Sequence, residues 1–207
     1  YHPVGIAMLV AVPEKMGRAL GWNGLWGNLG LAAAALIAGA LMDLWGWRAA
    51  FFVPGLACVA AGAAFLWLVA DPGPVKKKSK SIGLHVDVAT MARIFAVLLI
   101  ATAFGGVIFN STTVAMPKVF DERLTALTQS NFGIGALVAF VYSLAALAQL
   151  AMGALIDRFE LRRLMIGIAL IQIPLLAIAA NLEGWAMLAA ALAMMLAVFG
   201  QIPLNDS

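Results

Sequence analysis

The chain has 207 residues, 64% of them hydrophobic and only 11% charged, with a net charge of +3. A soluble domain is nearer half apolar and a quarter charged, so this balance argues against an ordinary water-soluble fold and points to lipid. The basic residues sit at the ends of apolar runs and form no stripe with stacking aromatics, so no nucleic-acid partner is expected, and the single Cys58 excludes an internal disulfide or a cysteine-held zinc.

Tyr1 to Val12 is apolar but too short to span, and Pro13, Glu14, Lys15 and Arg18 close it. It reads as the cytoplasmic half of a span whose beginning is missing, and Tyr1 is not an initiator methionine. The chain is therefore expected to be an internal piece of a longer membrane protein. Trp22 to Met42 carries no charge over the ~20 residues needed to cross a bilayer. Asp43 to Arg48 is a short turn with interfacial tryptophans, and Ala49 to Ala70 is a second uncharged span containing Pro54.

Asp71 to Ser81 then brings Pro72, Pro74, Lys76, Lys77, Lys78 and Lys80 together. A lysine at the bilayer centre costs about 2.5–3.5 kcal/mol, so this stretch lies at a membrane surface, and basic loops stay cytoplasmic. Beyond it the spacing predicts a third span over Ile94 to Met116, closed by Pro117 and Lys118, and a polar loop to Ser130. A fourth follows over Asn131 to Ile156, a fifth over Leu164 to Ala180 with Pro174 inside, and a sixth from Ala186 onward. Alternating sides from the lysine loop puts ten of the 13 Lys and Arg residues inside, leaving only Arg48, Lys118 and Arg123 outside. The fold class is therefore all-α, a polytopic transmembrane bundle of about six spans plus a half span. Residues 1–70 end one helical half, 71–93 form a cytoplasmic linker, and 94–207 begin a second half.

Small and polar residues mark particular faces. Gly27, Gly30, Ala34 and Ala38 form a small-residue stripe that lets another helix approach closely. Gly135, Ala139, Ser143, Ala146, Gln149 (or Leu150) and Gly153 form a second. Thr102, Gly106, Asn110 and Thr113 recur along the third span, and lipid would not tolerate that face without partners. Asn110, Thr112 and Thr113 offer neutral hydrogen bonds suited to orienting a substrate. Gln172 lies beside Pro174 and is expected to satisfy carbonyls freed by a kink. Gln201, Asn205 and Asp206 put polar groups into the last span, or already lie at the interface. His2 lies near mid-membrane by helical rise, where an ionisable group is a functional candidate; it also fits a neutral histidine bonded to a carbonyl. His2 and His85 are far apart, and no nucleophile motif, phosphate loop or metal-ligand spacing appears, so neither an enzyme nor a cofactor is expected.

The fourth span ends Gly153-Ala-Leu-Ile-Asp157-Arg158-Phe-Glu-Leu-Arg162-Arg163. This resembles the cytoplasmic G-x3-D-R-x-G-R-R signature of the major facilitator superfamily, with Glu160 where the family has glycine. The resemblance implies that Gly153, Asp157, Arg158, Arg162 and Arg163 form an ion-pair latch; arginines at a helix end also serve as plain topology anchors. The segment YHPVGIAMLV is similar to the fourth helix of drug-efflux members related to fosmidomycin-resistance proteins. By this resemblance the chain runs from the second half of the fourth helix through most of the tenth of a twelve-helix transporter. The remaining helices would be its partners, the two small stripes would face each other across the halves, and Tyr1 and His2 would belong to the substrate or proton pathway. The implied function is secondary active transport of a small molecule in the inner cell membrane, by alternating access and as proton-coupled efflux. Uptake of an organic acid or metabolite by symport is the alternative. A membrane scaffold or polytopic membrane enzyme is the reading from another class, although the interior spans lack the clustered His, Asp, Glu or Ser that catalysis needs.

Overall fold

A computed structural model describes residues 16–68 and 87–206. Tyr1, His2, the half span to Val12 and the lysine-rich stretch Asp71–Ser81 lie outside the described residues. The described chain is all helical: α1 (Met16–Trp45), α2 (Ala49–Leu68), α3 (Val88–Arg123), α4 (Asn131–Ile156), α5 (Leu161–Ala179) and α6 (Gly184–Asp206). All six are long and apolar enough to cross a membrane. In lipid the backbone must satisfy its own polar groups, so uncharged runs of this length become helices.

Local chemistry sets several boundaries. Gly46 takes a left-handed conformation (φ 82°) just past α1, and its N–H bonds the Met42 carbonyl at 3.0 Å. A glycine there terminates a helix at no steric cost. Ser130 caps α4, its hydroxyl accepting the Gly133 N–H at 3.0 Å.

The third span departs most from expectation. It starts at Val88 rather than after Arg93, and it runs through Pro117 and Lys118 to Arg123. Proline lacks the N–H that would bond the carbonyl four residues back, here that of Thr113. The Tyr142 hydroxyl on α4 donates to that carbonyl at 2.9 Å. A tertiary partner thus replaces the missing bond, and the helix continues. Gln172 also differs from expectation. It serves no carbonyl freed by Pro174, but reaches α6, where its amide donates to Ala197 O at 3.2 Å and Gln201 Oε1 at 2.8 Å.

Packing centres on α4 and α6. Val138, Val141, Tyr142 and Ala145 of α4 are buried together with Ala191, Met195 and Phe199 of α6. Phe199 lies 5.9 Å from the Phe109 ring of α3 and 5.5 Å from that of Tyr142, so three helices meet on one aromatic cluster. By contrast α2 carries no buried residue and presents Phe52, Leu66 and Trp67 outward.

The closest pairing is that of α1 with α4, which run antiparallel. Their backbones touch: a Cβ on Gly17 would strike Gly153 O, one on Gly21 would meet Gln149 O, and one on Gly135 would strike Ala35 O. The α1 face that makes this contact carries Gly17, Gly21, Gly24, Asn28, Ala32 and Gly39. The expected stripe of Gly27, Gly30, Ala34 and Ala38 is therefore out of phase. Gly27 and Gly30 meet nothing within 4 Å among the described residues, and Ala34 is exposed. Neighbouring positions on a helix point about 100° apart, and α1 is rich in small residues all round, so spacing alone leaves the phase open. On α4, Gly135, Ala146, Gln149 and Gly153 are buried, while Ala139 and Ser143 are half-buried.

Leucine at Gly21 is expected to force the two backbones apart and cost about 1–3 kcal/mol, as overpacking does. Leucine at Gly30 should change stability by less than about 0.5 kcal/mol. Thermal melting of the two variants in detergent checks the contrast; equal losses would contradict this phase for α1.

Candidate functional site

Both ends of the α1–α4 seam are closed by a carboxylate on a helix N-terminus. Asp157, the residue just past α4, accepts the N–H of Gly17 at 3.0 Å. At the opposite end Asp43, in the last turn of α1, accepts from the Phe132 N–H and from Asn131 Nδ2, both at 2.7 Å. The first N–H groups of a helix have no partner within it, and the helix dipole favours negative charge there. Each helix therefore lends its terminal acid to the start of the other.

This arrangement differs from the expected ion-pair latch. Asp157 is held by a main-chain N–H rather than by arginine. Arg163 pairs instead with Glu160 at 3.0 Å, and both side chains are exposed, a geometry worth about 0–1 kcal/mol. Arg158 and Arg162 are exposed as well. Asp43 was not singled out by the sequence, because nothing in the spacing links it to Asn131, 88 positions away.

About two turns in from the Asp157 end of the seam lies Gln149. Its side chain is fully buried in the notch left by Gly24, and neither amide atom has a hydrogen-bond partner among the described residues. Leaving such a group unpaired costs about 1–3 kcal/mol. The seam thus combines backbone contact, two polar end clasps and one unsatisfied amide.

A second polar grouping joins α3, α5 and α6. Gln172, buried on α5, bonds Gln201 on α6. Gln201 and Asn205 lie against Gly105 of α3, where a Cβ would come within 3.3 and 2.9 Å of their amide nitrogens. Two of the expected residues, Gln201 and Asn205, are thus brought together, with Gln172 behind them. Asp206 ends the same helix and is half-buried.

Asn110, Thr112 and Thr113 do not join this group. Asn110 donates to Gly106 O at 2.9 Å, Thr112 to Ile108 O at 2.7 Å and Thr113 to Phe109 O at 2.6 Å. Short polar side chains readily bond the carbonyl one turn back, so the polar face of α3 satisfies itself without a neighbouring helix. Among the described residues no group of His, Cys, Asp or Glu could hold a metal ion.

Removing either clasp should cost about 0.5–2 kcal/mol, the usual loss of a capping side chain. The clasps stand at opposite ends of a 30-residue helix, about 40 Å apart. The losses in Asp43→Ala and Asp157→Ala should therefore add to within about 0.5 kcal/mol in the double variant. Melting of the three proteins gives the comparison, and strong non-additivity would show the ends to be coupled.

A family model described as Major Facilitator Superfamily matches residues 1–205. No curated protein and no solved structure matches the chain. The match spans almost the whole sequence, and the described residues form six membrane-length helices held by a backbone-close seam. The chain belongs to the Major Facilitator Superfamily and is an integral membrane protein of this transporter family.

Proposed function

We propose that the chain works in a secondary active transporter that expels a small molecule by alternating access, driven by protons. The observation that carries this reading is the α1–α4 seam. Along it backbone meets backbone at Gly17, Gly21, Gly39, Gly135 and Gly153, and each end is fastened by one carboxylate. Under this reading α1 and α2 belong to one half and α3 to α6 to the other, joined on the cytoplasmic side by the basic stretch that precedes Val88. The seam then lies on the boundary between halves.

Rocking would release the Asp157 clasp on the cytoplasmic side and the Asp43 clasp on the outer side in turn. Each release costs a capping interaction of about 1 kcal/mol, small enough for an exchange between states. Parting the helices near the Asp157 end would also let water reach the Gln149 amide, which offsets part of that cost. Gln201 and Asn205 are the substrate contacts in this scheme, and Gln172 holds Gln201 in place. His2 carries the proton, since its charge changes near neutral pH and is costly away from polar partners.

The two clasps should act in opposite directions. In a Cys58→Ala background of the full chain in membrane vesicles, Asp157→Ala should raise labelling of a cysteine at Asn205 from the cytoplasmic side. Asp43→Ala should raise it from the outer side. Equal changes from both variants would sink the alternating role of the seam. Everted vesicles should accumulate a lipophilic cationic dye in a way that a protonophore abolishes, and His2→Gln should keep dye binding but lose that dependence. Accumulation only in right-side-out vesicles would favour uptake instead.

A further inference from the structure

A crevice of about 230 Å³ lies between α3, α5 and α6, away from the seam. Thr112, Ala115 and Val119 of α3 form one wall, Leu176 of α5 the other, and Met187 and Met194 of α6 the floor. Arg123 also lines it, from the last turn of α3. One guanidinium nitrogen, Nη1, donates to Ala180 O at 2.6 Å and Leu182 O at 3.2 Å, tying the end of α3 to the turn between α5 and α6. Its other N–H groups have no partner among the described residues. It makes no ion pair among the described residues: the nearby Asp121 and Glu122 are both held by Lys118, at 3.2 and 3.3 Å, and Glu183, next to the bonded Leu182, forms none either. The result is an apolar slot whose mouth holds a cation with no ion-pair partner among the described residues.

The depth of the slot identifies what fits it. α5 has 19 residues, about 28 Å of helix, which nearly matches a hydrocarbon core of about 30 Å. Its C-terminal turn, and Arg123 bonded to it, therefore lie at the level of the lipid headgroups. Trp185, exposed in the first turn of α6, marks the same level. From Arg123 back to Thr112 is about 16 Å along α3, and from Gly184 to Met194 about 15 Å along α6. The slot thus reaches from the headgroups to the bilayer midplane, the depth of one leaflet. At its deep end the Thr112 hydroxyl already bonds Ile108 O, which leaves Ser111 as the one hydroxyl there without a partner among the described residues. The volume is below the ~300–1,000 Å³ of a drug-sized pocket and suits one narrow chain. Methionine walls adapt readily to such a chain.

We propose that this crevice binds one acyl chain of an anionic phospholipid whose phosphate sits on Arg123. Guanidinium recognises phosphate through paired N–H groups, and Arg123 retains N–H groups for it. The occupied slot would fill the gap between α3 and α5 that few side chains span, so the lipid acts as a wedge that holds α5 against the core.

The test uses the full chain, delipidated in detergent and titrated with dioleoyl phosphatidylglycerol, dioleoyl phosphatidylcholine or glycerol phosphate. Phosphatidylglycerol should raise the melting midpoint by several degrees, phosphatidylcholine by less than half as much, and glycerol phosphate not at all. Ala115→Phe fills the slot but leaves Arg123 intact, and should cut the phosphatidylglycerol shift to the phosphatidylcholine level; Val119→Phe repeats the block nearer the mouth. Arg123→Gln should abolish the preference, and Arg123→Lys should restore part of it. Equal shifts with both lipids, a full phosphatidylglycerol shift in both phenylalanine variants, or an equal shift from glycerol phosphate alone would each overturn the proposal.

Discussion

Backbone contact between α1 and α4 is the constraint on which the other features depend. Lipid tails are as apolar as leucine, so no hydrophobic force drives two helices together within a membrane. Close packing supplies much of the attraction instead, and between these two helices small residues let it reach the backbones themselves. Gly17, Gly21, Gly39, Gly135 and Gly153 allow that contact, and each would clash with facing backbone if it carried even a methyl group. Once the helices lie this close, their ends meet, and Asp43 and Asp157 can reach across to the opposing N-termini. The clasps follow from the glycines rather than the reverse.

The two polar elements in the apolar body have contrasting standing. Gln172 and Gln201 satisfy each other between α5 and α6 and so fix the relation of two helices within one bundle. Gln149 stays unsatisfied between α1 and α4. A satisfied pair resists separation, whereas an orphaned amide gains hydrogen bonds when its surroundings open. That difference is what the proposed transport cycle needs from a fixed contact and from a moving one.

Long uncharged runs made the spans legible, and the fourth agrees with α4 at both ends because Ser130 and Asp157 mark them. The third was cut short at Pro117, since sequence spacing does not reveal that a tyrosine from another helix covers the Thr113 carbonyl. The α1 face that meets α4 lies one helical step away from the stripe read from spacing, because glycine and alanine occupy nearly every side of that helix. The face that holds Asn110 and Thr113 was expected to need partners elsewhere, and for these two residues their own helix supplies them. What pattern cannot carry is the choice among several chemically adequate partners, which only three-dimensional proximity decides.

Tyr142 holds three helices through three different parts of one residue. Its main chain belongs to the seam helix, its ring lies against Phe199, and its hydroxyl sits on the carbonyl beneath Pro117. A proline-containing helix with a free carbonyl is a soft joint, and here the joint is pinned by a neighbour rather than by its own turns. Any tilt of α4 would therefore tug directly on the weakest turn of α3. Replacing the tyrosine by phenylalanine would remove only the pin: the cluster would stay packed, and α3 would bend independently of the helix beside it.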